Sequence, residues 1–158
     1  MSRWRYALSM ANKTASSVTV AAPTSDVMAV IADFADYPRW AAALRSADVL
    51  EAGPDGRAST VRFTLDAGAI KDTYVLDYTW KVAKAGTGSV SWVLVEAEQV
   101  LKALDGSYTL EGDKDGPTTV TYQLVVDVRI PMLGMLKRKA EKSIIATALQ
   151  ELKKRAEG

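Results

Sequence analysis

Histidine and cysteine are both absent from this chain of 158 residues. Without cysteine there is no disulfide, no thiol nucleophile and no thiolate metal site. Without histidine the usual general base near neutral pH is missing. Zinc, which is nearly always held by His or Cys, loses its ordinary ligands too. Any proton transfer therefore falls to Asp, Glu, Lys, Tyr or bound water. No charge of one sign dominates: 20 Lys and Arg face 19 Asp and Glu, for a formal net charge of +1. That is too weak a field to argue for nucleic acid. No apolar run reaches the roughly 18 residues of a membrane span, so no integral membrane contact is expected. Arg3 and Arg5 are not followed by an apolar core, which makes a poor signal peptide. With Met10 as a second plausible start, residues 1–13 read as a tail or extension and 14–158 as one domain. A reducing cytoplasm is the default compartment.

What the chain has in quantity is alternation. Val18 and Val20 alternate in a first strand, and Pro23-Thr24-Ser25-Asp26 is a helix entry with N-capping residues. Val27, Val30, Ile31 and Phe34 recur at helical spacing until Tyr37-Pro38, where the residue before proline is pushed out of the α region. Residues 40–44 read as a second short helix. Strands follow at about 47–52, 60–65, 70–82, 89–97, 104–111 and 118–128. Gly53-Pro54-Asp55-Gly56, Gly86-Thr87-Gly88 and the stretch from Gly112 to Pro117 are turns between them, so neighbouring strands should be antiparallel. Val93 and Val95 sit out of phase with Trp92 and Leu94, which suggests a strand covered on both faces.

After Pro131 one long helical pattern runs over about 132–155. Leu133, Leu136, Ala140, Ile144, Ala148 and Leu152 form its expected buried stripe, widened by Ile145 and Leu149. Arg138, Lys139, Lys142 and Lys153 fall on a solvated side. A lone long helix has only the sheet against which to bury its stripe, so the class is α+β. A curved sheet closed over one helix tends to leave a hollow between them.

Several stretches carry a resemblance. Val20-Ala21-Ala22-Pro23, the run from Asp33 to Trp40 with its Tyr-Pro-x-Trp element, Gly106-Ser107-Tyr108-Thr109-Leu110, and Tyr122 to Pro131 leading into Leu136-Lys137-Arg138 occur in this order over roughly 14–157. Here the chain resembles the SRPBCC or START-like superfamily, in its polyketide cyclase/dehydrase branch. The resemblance implies a helix-grip fold: a seven-stranded antiparallel sheet wrapped around the C-terminal helix, with two short helices after the first strand. It also implies a cavity for a hydrophobic or amphipathic small molecule, lipid or polyketide-like. The function expected is binding or carriage of such a molecule; the alternative is a polyketide cyclase/dehydratase. No cofactor and no metal are implied, and the chain is expected to be a monomer or homodimer.

Strand parity nominates the ligand wall: Phe63, Tyr74, Leu76, Tyr78, Trp92, Tyr108 and Tyr122, with Trp40 from the helix pair. Met132, Met135 and Leu136, near the start of the long helix, complete the set. Tyr and Trp join an apolar body to one polar tip, and Met adapts to varied shapes. Asp72 shares parity with Tyr74 and Tyr78, and Glu96 with Trp92 and Leu94. A carboxylate buried there without a partner would have a raised pKa and could act as a general acid or base. Asp72 and Glu96 are therefore the candidate catalytic groups, against the plainer reading that both face water at strand ends.

Overall fold

A computed structural model describes residues 14–68, 70–131 and 133–158. Strand β1 (Thr14–Val20) leads into helix α1 (Thr24–Ala32), a 3-10 turn (Phe34–Asp36) and the short helix α2 (Tyr37–Trp40). Six strands follow: β2 (Leu44–Ala52), β3 (Ala58–Asp66), β4 (Lys71–Val82), β5 (Gly88–Ala97), β6 (Leu101–Gly112) and β7 (Thr118–Val128). Helix α3 (Gly134–Glu157) ends the chain. The seven strands form one antiparallel sheet in the order β1-β7-β6-β5-β4-β3-β2. The α+β helix-grip arrangement implied by the resemblance is the fold observed. The tail, residues 1–13, lies outside the described residues.

Alternation decides which face is buried. Val61, Phe63, Tyr74, Leu76, Val90, Trp92, Tyr108, Leu110, Val120, Tyr122, Leu124 and Val126 are buried on the concave face. The convex face carries Thr60, Arg62, Asp77, Thr79, Ser91, Ser107, Thr109 and Thr121. Val93 and Val95 are exposed, so β5 is not covered on both faces as its pattern suggests. The reason is architectural: the helices dock on the concave side, and the convex side has no second layer.

Three local readings change. Pro38 lies in the first turn of α2, where its missing N–H is harmless, so the proline opens a helix instead of only breaking one. Residues 40–44 are accordingly the end of α2 and the turn into β2. Thr24 does not cap α1; its hydroxyl donates to the Ala85 carbonyl and ties α1 to the β4–β5 turn.

The buried stripe of α3 is displaced from the expected one. Glu141, Ile145, Leu149 and Leu152 are the buried positions, with Ile144 and Ala148 half-buried beside them. Leu133 and Leu136 are exposed. The helix lies over β1 and β7 and touches α1 and α2. Its far end is pinned by Lys153 Nζ donating to the Thr19 carbonyl (2.7 Å), by the Ala21 N–H donating to Glu157 Oε2 (2.7 Å) and by an Arg155–Asp36 ion pair. Near its start one buried carboxylate does the anchoring. Glu141 Oε1 accepts from the Thr14 hydroxyl at 2.6 Å, and Oε2 from the Val126 N–H at 2.8 Å.

Candidate functional site

Every aromatic residue among those described belongs to one ring-to-ring network on the concave side. Phe34, from the 3-10 turn, meets Tyr37, Phe63, Tyr78 and Trp80. Tyr37 continues to Trp40 at 5.0 Å, and Phe63 stacks on Tyr74 at 5.6 Å. Tyr78 leads to Trp92, and Trp92 to Tyr108 and Tyr122, which lie 4.6 Å apart as cross-strand partners. Such pairs add roughly 0.5–1.5 kcal/mol each beyond plain burial. Gly106 makes room for this wall. A Cβ there would lie 2.5 Å from the Gln123 carbonyl oxygen and 2.8 Å from the Trp92 ring, so only glycine fits beneath the indole.

The polar tips of the wall are phenols. Burial is the main force raising the pKa of Tyr37, Tyr74, Tyr78, Tyr108 and Tyr122. All five are therefore protonated donors at neutral pH. The Tyr108 and Tyr122 rings lie 4.6 Å apart and Tyr78 joins them through Trp92, so these phenols line one region of the wall. Tyr37 donates to the Ile31 carbonyl. The hydroxyls of Tyr74, Tyr78, Tyr108 and Tyr122 have no hydrogen-bond partner among the described residues. Trp40 Nε1 is enclosed and has no partner among those residues. Glu151 on α3 accepts from the Ala42 N–H at 3.0 Å, and its charge adds a minor push to the Tyr108 shift.

Of the sequence-nominated wall, Trp40, Phe63, Tyr74, Leu76, Tyr78, Trp92, Tyr108 and Tyr122 come together here. Met135 and Leu136 do not. They lie on the surface because the first turns of α3 overhang the sheet and its first buried residue is Glu141. Met132 lies outside the described residues. Phe34, Tyr37 and Glu151 were not nominated. Tyr37 stands three residues after Phe34, a spacing that puts both rings on one side of a helical turn.

The two carboxylates correct the acid/base expectation. Asp72 is buried, but its oxygens are fully engaged. Oδ1 accepts from the N–H groups of Thr73, Glu98 and Gln99, and Oδ2 from those of Val100 and Leu101, at 2.8–3.1 Å. Burial opposes its ionisation, yet those amide bonds together outweigh it and hold the carboxyl below the usual range. It is the fixed cap of the β5–β6 turn. Glu96 is exposed on the other face. Leu76 pairs with Leu94 but Val75 with Glu96, so a bulge at Val95 inverts the parity beyond it.

An antiparallel sheet gripping a terminal helix, with an aromatic and phenolic concave wall, defines a protein of the START-like class. Over residues 11–157 the chain matches the family described as polyketide cyclase / dehydrase and lipid transport, and it belongs to that family. Among solved structures it is similar to a START superfamily protein from Mycobacterium smegmatis, at 18% identity over 92% of this chain and 97% of that one, with a TM-score of 0.83. It is similar also to a STAR-related lipid transfer protein from Xanthomonas axonopodis (19% identity, 92% and 86% covered, TM-score 0.76). A third is the Zhui aromatase/cyclase from a Streptomyces species (18% identity, 92% and 93% covered, TM-score 0.69). No curated protein matches the sequence.

Proposed function

We propose that this protein binds or carries a hydrophobic small molecule in a cavity between the sheet and α3, against the aromatic wall. The observation that carries this reading is the gathering of phenol rings on an otherwise apolar face. Ligand sites combine apolar walls with a few polar groups that fix orientation. Here the phenols of Tyr74, Tyr78, Tyr108 and Tyr122 are protonated donors with no partner among the described residues, and leaving such a donor unpaired in a dry site costs about 1–3 kcal/mol. A ligand oxygen would relieve that cost. No Lys or Arg of β3–β7 themselves projects from the concave face among the described residues, and the Arg57 guanidinium, 5.8 Å from the Trp80 ring, is paired with Asp55. The preferred guest is thus an apolar molecule ending in a neutral acceptor such as a ketone, ester or hydroxyl, in keeping with the lipid and polyketide chemistry named for the family.

The test is native mass spectrometry of gently purified protein, with organic extraction of whatever it carries. The expected result is a bound neutral, oxygen-bearing apolar species that denaturation releases. A wall that takes up no apolar molecule, native or added, would overturn the reading.

The protonated phenols of the wall, with the polyketide cyclase / dehydrase chemistry named for the family, favour a second reading, cyclase or dehydratase chemistry. Tyr108 would polarise a carbonyl and Glu151 would accept the proton released. Turnover of a polyketide-like chain that is lost in Glu151→Gln, with binding retained, would select it.

A further inference from the structure

We propose that residues 129–131 and 133–142 form a docking surface for an anionic lipid bilayer. Ile130, Leu133, Met135 and Leu136 are 54–82% exposed, four large apolar side chains within seven positions. Single exposed apolar residues are ordinary, but a contiguous patch is not. Around it stand Arg138, Lys139 and Lys142, all exposed, and the half-buried Lys137; Arg129, also exposed, is held by its guanidinium on the Ala97 and Gln99 carbonyls. Met135, Arg138, Lys139 and Lys142 together with Gly134 border a shallow, open depression. The one acid in the segment, Glu141, is turned inward and bound to Thr14 and Val126, so it does not offset the cations. Five basic residues are thus gathered here in a chain whose formal net charge is only +1. The start of α3 adds to the field: it has no acidic residue in its first turn and no side-chain cap, and its positive dipole end faces outward.

Apolar tips ringed by cations match the interface of an acidic membrane, where apolar groups enter by about 5–10 Å and basic residues meet the headgroups. The overhanging turns, residues 134–140, span roughly 10 Å at the rise of an α-helix. The other exposed apolar residues lack this complement. Val93 and Val95 lie beside Glu96 and Glu98, which an anionic surface would repel. The inference does not depend on what the concave wall binds.

The test is co-sedimentation of the full chain with phosphatidylcholine vesicles, with and without phosphatidylglycerol. Binding is expected only with phosphatidylglycerol, and to weaken as salt is raised. The variant Leu133→Ser/Met135→Ser/Leu136→Ser should stay folded by circular dichroism, since all three side chains are exposed, and should lose binding. Neutralising Arg138, Lys139 and Lys142 to Gln should cut partitioning about fivefold for each cation removed. Absence of binding by the unaltered chain, or binding unchanged in both variants, would overturn the proposal. So would a concentration-dependent dimer that the Ser variant abolishes without any vesicle binding, because it would assign the patch to a second copy of the chain.

Discussion

At the scale of single residues, two positions are held by what surrounds them. Gly106 has no side chain because the Gln123 carbonyl and the Trp92 indole occupy that space. Gly106→Ala should cost roughly 1–3 kcal/mol through overpacking. It should also shift Trp92 fluorescence, and calorimetry beside an emission spectrum would check both effects. Asp72 stabilises the fold only while ionised. Its carboxyl is held below the usual range, so its contribution is present above the unfolded-state value near pH 4 and is lost as pH falls through the folded one. In Asp72→Asn one oxygen remains to accept, so buried N–H groups lose partners at about 1–3 kcal/mol each. The variant should unfold at lower urea at pH 7, and its stability should change less than that of the unaltered chain between pH 6 and pH 3. The sequence places Asp72 correctly on the wall side. It could not show the amides that claim its oxygens, because they come from the β5–β6 turn some thirty positions away.

At the scale of elements, parity reads well wherever strands are regular. Phe63, Tyr74, Tyr78, Trp92, Tyr108 and Tyr122 share a face because β3 to β7 keep strict alternation up to the bulge. Glu96 is misread for one reason: an extra residue in β5 is invisible to a pattern of period two. The long helix is misread for another. Leu133 and Leu136 continue an apolar series, but burial depends on where the sheet ends, and the sheet ends before α3 begins to pack. The inward position at the start is taken by Glu141, which hydropathy alone assigns to the surface. Its role sets a prediction. Glu141→Ala removes the acceptor for the Val126 N–H and the Thr14 hydroxyl, and should cost about 1–3 kcal/mol. Hydrogen exchange should quicken in the first half of α3 and leave residues 145–157 protected, whereas Glu141→Gln should recover much of the loss. Uniform destabilisation along the helix would show that Glu141 does not act as a local anchor.

At the scale of the whole molecule, the order of elements was legible throughout, since one strand, two short helices, six strands and a long helix are all there in sequence. The closeness of the phenols was not, since it depends on sheet curvature and on where the Tyr37 turn folds back. That assembly has a pH signature. The five buried phenols ionise only above their ordinary value. Their contribution is full below about pH 10 and is lost as pH rises further, because the unfolded chain sheds phenol protons first. Tyrosinate absorbance from these residues should therefore appear together with loss of the folded circular dichroism signal. A gradual rise in absorbance from a chain still folded would contradict the burial described.

The ring network has an optical consequence. Tyr37, Tyr78, Tyr108 and Tyr122 each sit within a few ångströms of an indole of Trp40, Trp80 or Trp92. Light absorbed by those tyrosines should pass to the tryptophans and emerge as their emission. A guest lodged against the wall would alter both the transfer and the colour, so the chain carries its own gauge of occupancy and needs no attached dye.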